Sequence, residues 1–216
     1  MSAPTVLVTG FGPFPGAPVN PSAALVRALP TGTMSRRHGI ALHTEIMPVS
    51  YAAVAEILPR LWRDLRPDAV LHVGLHGRAR IPHVELRGKN HRSPLAPDAG
   101  GALPNHPAID PKGPAIRHAS LPAPQILAAI RASGARARTS HDAGSYLCNF
   151  ATYLSLGLAR EGAIAGFLHV PWPAEERGRA RRAPADRPGW NELSVALEAT
   201  IGAVALEAKR RARGGR

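Results

Sequence analysis

SYLCNFATYLSLGLAREGAIAGFLHV, residues 145–170, reads as a helix, a glycine turn and a buried strand. Leu147, Ala151, Leu154 and Leu158 recur at helical spacing and give Ser145–Arg160 one apolar face. Ala163–Val170 is a short apolar run with no polar alternation, the pattern of a strand covered on both sides. A helix that feeds such a strand across a tight turn is the repeating unit of a parallel sheet.

The same alternation extends in both directions. Toward the N-terminus, Thr5–Thr9 and Ala69–Val73 are buried strands, Ile40–Val49 is strand-like, and Ile81–Arg87 is a strand with alternation. Helices are predicted over Pro21–Leu29 and Tyr51–Leu65, the latter bent or broken near Pro59, where a donor NH is missing. Residues 91–122 are rich in Pro, Gly and Asp and hold no clear element, which in a compact domain marks a functional or mobile segment. Pro124–Ala132 reads as a helix, Ala135–Thr139 as a strand, and Trp190 to about Ala208 as a terminal helix. The expected fold is a single α/β domain over residues 1–216, a mostly parallel sheet flanked by helices on both faces, with a mobile basic tail at 209–216. Such sheets carry their sites at the carboxyl ends of the strands.

Composition narrows the function. A chain of 216 residues, 44% hydrophobic, can bury one sizeable core. No apolar run reaches the roughly 18 residues that cross a bilayer, and Met1–Thr9 lacks a basic segment and a cleavage pattern. The one cysteine excludes an intramolecular disulfide and a four-thiolate zinc site, a reducing-compartment profile that points to the cytoplasm. The net charge of +12 resides largely in Arg177, Arg179, Arg181, Arg182 and Arg187 and in the run Lys209, Arg210, Arg211, Arg213, Arg216. Neither cluster is interleaved with aromatics, so a specific nucleic-acid partner is not expected.

Three residues could carry chemistry together. Cys148 lies near the start of the 145–160 helix, where Ser145 can cap and where free NH groups and the helix dipole favour negative charge. A lone cysteine is more often a small buried hydrophobe. His169 closes the strand before Pro171, where an imidazole projects into the crevice and can exchange a proton with a thiol; its bland alternative is a satisfied core histidine. Glu85, out of phase with Val84 and Leu86, could fix an imidazole tautomer, or simply pair with Arg87. The loop Thr9–Gly16, TGFGPFPG, fails as a dinucleotide fingerprint because its glycines are misspaced and Pro13 and Pro15 remove amides. Phe11 and Phe14 on this stiff loop suit a small flat ring, or pack on the sheet. His72 and His76 have no supporting ligands, so a catalytic metal is not expected.

Four segments in order, VLVTGFGPFPGAPVNPS, VLHVGLHGRARIPHVELRGKN, SHDAGSYLCNFATY and GFLHVPWP, resemble the pyroglutamyl peptidase I (pyrrolidone carboxyl peptidase) family. The resemblance spans about residues 4–173. It implies a cytosolic α/β thiol peptidase without cofactor, often tetrameric, that acts on peptides with an N-terminal pyroglutamyl residue. It places the nucleophile on Cys148, the base on His169 and the orienting carboxylate on Glu85. Phe11, Phe14, Asn20 and Tyr146 would line the lactam pocket, with Leu75 at a position that varies in the family. Leu86 stands where the family has arginine, and a shift of one residue along a strand reverses its face, so Arg87 does not inherit that position.

The expected reaction is thiol acyl transfer. Cys148 attacks the pyroglutamyl carbonyl, His169 protonates the departing amine and water resolves the thioester. Three other readings stay open: a thiol hydrolase of this fold with another cyclic or acylated substrate, a relative that binds without catalysis, and a polyanion-binding module.

Overall fold

A computed structural model describes residues 2–176 and 186–214. Arg177, Arg179, Arg181 and Arg182 of the first basic cluster, and Arg216 of the second, lie outside the described residues.

Six strands form one sheet in the order β2-β1-β3-β8-β4-β7. These are β1 (Thr5–Phe11), β2 (Ala41–Met47), β3 (Ala69–Leu75), β4 (His83–Glu85), β7 (Arg138–Ser140) and β8 (Ile164–Val170). Every pairing is parallel except β4 with β8. The central strands are apolar on both faces, and successive side chains divide between two cores. Val6, Val8, Leu71, Val73 and Leu168 join α1 (Pro21–Arg27), α2 (Thr31–His38), α4 (Ala123–Ala132) and α6 (Trp190–Gly214) on one side. Phe11 and Phe167, with Leu7, Val70 and Ala165, meet α3 (Tyr51–Leu65) and α5 (Leu147–Leu158) on the other.

The structure departs from the sequence reading at several points, each with a local cause. Helix α3 runs through Pro59 unbroken. The carbonyl freed by the proline belongs to exposed Ala55, while Val54, Leu58 and Trp62 bury the opposite stripe. Residues 81–87 are not one strand. β4 stops at Glu85, and β5 (Arg87–Lys89) pairs with β6 (Ile116–His118) in a separate two-stranded sheet. Leu86 joins the two: its NH donates to the Ser140 carbonyl at 2.8 Å, and its own carbonyl accepts from Ala119 NH at 2.9 Å. β6 therefore lies in the stretch expected to be without elements, and α2, which buries only Met34, was not expected.

Two helix ends also move. Tyr146, not Ser145, is the N-cap of α5, and no side chain caps it, so Cys148 is the second helical residue. Helix α6 continues to Gly214, past the Ala208 end expected. Glu207 holds Arg210 and Arg211 at 2.7 Å one turn on, and cations are favourable at a helix C-terminus.

Candidate active site

Strand register brings the chemistry-bearing residues to one end of the sheet. Gly74 of β3 is directly opposite His169 of β8, and His169 is opposite His83 of β4. Phe167 and His169 are two apart and so share the face that carries α5. At Gly74, β3 passes close beneath that helix. A Cβ there would sit 2.5 Å from Phe167 Cζ and 3.0 Å from Cys148 Sγ, so only glycine lets the thiol descend onto the sheet.

Glu85 Oε1 lies 2.8 Å from His169 Nδ1, with both side chains buried. Nδ1 being taken, Nε2 is the nitrogen that remains to face Cys148, which acts on the His169 charge. Burial disfavours the charged imidazole, but the charge and hydrogen bond of Cys148, with those of Glu85, outweigh it and hold the His169 pKa at about 9. Burial likewise pushes the Glu85 carboxyl up, and the His169 hydrogen bond and charge, with Ser140 on β7, bring it below its ordinary value. Among the described residues Glu85 Oε2 is buried without a hydrogen-bond partner.

The first turn of α5 adds donors. Phe150 NH bonds the Tyr146 carbonyl, while the NH groups of Leu147, Cys148 and Asn149 precede the first intrahelical acceptor. Asn149 ties this turn to β5: its Oδ1 accepts from Lys89 NH at 2.8 Å, and its Nδ2 donates to the Lys89 and His91 carbonyls at 2.8 and 2.7 Å. Arg87 Nε donates to the His141 carbonyl at 2.7 Å, and Lys89 pairs with Asp142 at 2.8 Å, so β5 also holds the loop that enters α5.

A narrow cavity beside Cys148 is lined by Phe11, Phe14, Asn20, Leu75 and Tyr146, joined by Val49 and Leu147. The five residues expected at a ring pocket from the sequence are thus together. Asn20 shapes the loop instead of offering free polar atoms. Its Nδ2 donates to the Gly12 carbonyl at 2.9 Å, and its Oδ1 accepts from both the NH and the hydroxyl of Ser22. Tyr146 OH donates to the Pro97 carbonyl at 3.0 Å. Leu86 packs against the core of the other face, away from this cavity.

Three contributors were not singled out from sequence: Gly74, Asn149 and Asp98. Buried Asp98 accepts from the NH groups of Tyr51, Gly100 and Ala102, which fastens the 96–102 turn to the start of α3. A polar Asn directly after the cysteine in a mostly apolar helix was a readable signal for Asn149. Gly74 and Asp98 act through distant contacts that carry no local pattern. His72 is a core residue, bonded to Thr9 at 2.7 Å and to Ser155 at 2.6 Å, and burial lowers its pKa to about 3. Among the described residues no cluster of His, Cys, Asp and Glu could hold a metal ion.

A thiol and a carboxylate on either side of one imidazole, next to the first-turn NH groups of a helix and a small apolar cavity, can carry out acyl transfer through a thioester. The class is that of α/β thiol hydrolases. The chain belongs to the pyroglutamyl peptidase family, cysteine peptidases that remove N-terminal pyroglutamate, whose profile matches residues 4–207. A pyrrolidone-carboxylate peptidase of Deinococcus radiodurans is 38% identical over 196 residues, 86% of this chain and 84% of the relative. Pyrrolidone-carboxylate peptidase 1 of Ralstonia nicotianae is 37% identical over 179 residues, 81% and 82% of the two chains. The crystal structure of pyrrolidone carboxyl peptidase from Thermus thermophilus superposes with a TM-score of 0.81 at 36% identity, covering 91% of this chain and 98% of that one. Pyroglutamyl peptidase I of Bacillus amyloliquefaciens gives 0.84 at 28% identity, covering 94% and 97%.

Proposed function

We propose that the chain hydrolyses the bond after an N-terminal pyroglutamyl residue, with Cys148 as nucleophile, His169 as base and acid, and Glu85 as the group that orients His169. The observation that carries this is the 2.8 Å Glu85–His169 bond, which leaves Nε2 of His169 to the thiol. Nε2 already holds the proton taken from Sγ, as the raised pKa of His169 requires, when sulfur attacks the pyroglutamyl carbonyl carbon. The oxyanion accepts hydrogen bonds from the unbonded NH groups of the first turn of α5. As the C–N bond breaks, the leaving amine takes the proton from His169. Water then attacks the thioester, giving up a proton to His169, and pyroglutamate leaves as the thiol reforms.

Specificity follows from what the cavity does not offer. Phe11, Phe14 and Leu75 present apolar surface to a lactam ring, and a free α-ammonium there would be buried without a partner. Assembly as a homotetramer and a place in the cytoplasm belong to the same proposal, both resting on the family resemblance and the lone unpaired cysteine. Light scattering of the purified chain checks the first.

The test is release of a fluorescent amine from its pyroglutamyl derivative, with and without iodoacetamide. Thiol-sensitive release that vanishes in Cys148→Ala, with an unchanged circular dichroism spectrum, is expected. Undiminished release by pure Cys148→Ala refutes the assignment.

A further inference from the structure

On the far side of His169 from the ring cavity lies a second and more open one. In sheet order the ring cavity gathers around the ends of β1, β2 and β3, while this one lies over β4 and β7, and β8 with His169 runs between them. The His76 ring bridges the two sites, 5.3 Å from the His169 ring and 5.2 Å from that of His83. The cavity measures about 390 Å³, within the range of small-ligand sites, and is lined by Arg78, Arg80, Arg136 and Arg138 with His76 and His83.

Its charge is one-sided. The acidic residue in the lining is Asp186, which pairs with Arg80 at 3.4 Å. Arg138 Nε donates to His83 Nε2 at 2.9 Å, which requires that nitrogen to be unprotonated and the ring neutral. Burial lowers the pKa of both bridging histidines, with Arg138 acting further on His83 and the His169 charge on His76, so the guanidinium groups carry the charge at neutral pH. Among the described residues the Arg78 and Arg136 guanidinium groups pair with no carboxylate.

A peptide whose first residue fills the ring cavity must present its scissile nitrogen to His169, because that imidazole protonates the leaving amine. The following residues then pass over His76 toward the arginines. We infer that this cavity is the leaving-side subsite of the enzyme and that it selects a carboxylate, the side chain of Asp or Glu one or two residues after the pyroglutamyl group. The inference rests on the proposed peptidase activity. Paired with exposed guanidinium groups, such a carboxylate raises kcat/KM by about two- to fivefold over a neutral residue. Salt screens the effect, which shrinks toward unity near 0.5 M salt because the charges are open to water.

The experiment compares kcat/KM for pyroglutamyl-Glu-Ala-amide, pyroglutamyl-Ala-Ala-amide and pyroglutamyl-Lys-Ala-amide at low and high salt, in the wild type and in the double variant Arg78→Ala/Arg136→Ala. Expected are the order Glu, Ala, Lys in the wild type, its collapse at high salt, and its collapse in the variant with the Ala peptide cleaved at the wild-type rate. Cleavage of all three peptides at one rate overturns the subsite and leaves the peptidase assignment standing. Failure to cleave even the Ala peptide overturns the peptidase assignment, and the subsite falls with it. A preference for Glu that persists in the double variant also refutes the role given to these arginines.

Discussion

Replacing Glu85 with glutamine tests how much of catalysis the carboxylate supplies. The change keeps volume and leaves an amide oxygen able to accept from His169 Nδ1, so it removes charge more than shape. The 2.8 Å bond is fully buried, and a bond to a charged group is worth about 1.5–3 kcal/mol against about 0.5–1.5 for a neutral one. A unit charge near an imidazolium adds about 4 kcal/mol at an effective dielectric near 20. The Glu85 charge is one of several groups that hold the His169 pKa at about 9, so part of that stabilisation survives the substitution. We expect a loss of about 2–4 kcal/mol in transition-state stabilisation, a fall in kcat/KM of about 30- to 1000-fold. The assay is fluorogenic pyroglutamyl amide hydrolysis across pH 5–10, with thermal melting as the folding control. A folded Glu85→Gln enzyme within threefold of wild type refutes the orienting role.

Other perturbations read other parts of the same geometry. Gly74→Ala puts a methyl against Phe167 and Cys148 Sγ, and should cost about 1–3 kcal/mol of stability with a disproportionate loss of kcat, measured by melting and turnover. Because the folded His169 pKa, about 9, lies above its ordinary 6.5, its pairing contributes stability that is full below pH 6.5 and lost as pH rises through 9. The melting temperature should therefore fall on the alkaline side, and less steeply in His169→Asn. Asp98→Ala strands the NH groups of Tyr51, Gly100 and Ala102, and should cost about 1–3 kcal/mol and raise KM more than it lowers kcat, as Tyr146 loses its firm Pro97 partner.

Much of the fold was legible because the strands that build it are buried on both sides. Runs such as Val6–Val8, Ala69–Val73 and Ile164–Val170 have one physical interpretation in a chain with alternating helices. Helix α3 was readable in its two ends, Tyr51 and Leu65, but not in its continuity through Pro59. What failed to show was structure held by partners distant in sequence. β5 and β6 are three residues each and pair across about thirty positions, too short for any period to register. Helix α2 buries a single methionine and looks like a loop. The start of α5 was misplaced by two residues because Ser145 is a good capping residue that the chain does not use as one. At the site, Cys148, His169 and Glu85 were found as chemistry-bearing side chains at element ends, whereas the Asp98 turn and the β5 clamp have no such mark.

The five residues from Glu85 to Lys89 bind those two observations together. Glu85 completes a strand of the main sheet and faces His169. Leu86 turns into the opposite core, and its NH and carbonyl go to different sheets. The next three residues leave the main sheet to run along α5, where Gly88 passes so close that a Cβ would lie 2.9 Å from the Tyr153 nitrogen. Lys89 meets Asn149, the neighbour of Cys148, and Arg87 meets the loop that enters the helix. The carboxylate that sets the imidazole and the clamp that sets the thiol thus belong to one short segment, and a slip of one residue would turn Glu85 into the core and free the first turn of α5 at once. An apolar Leu86 suits this arrangement, since its half-buried side chain packs against the core of the other face while its backbone bonds both sides of the turn.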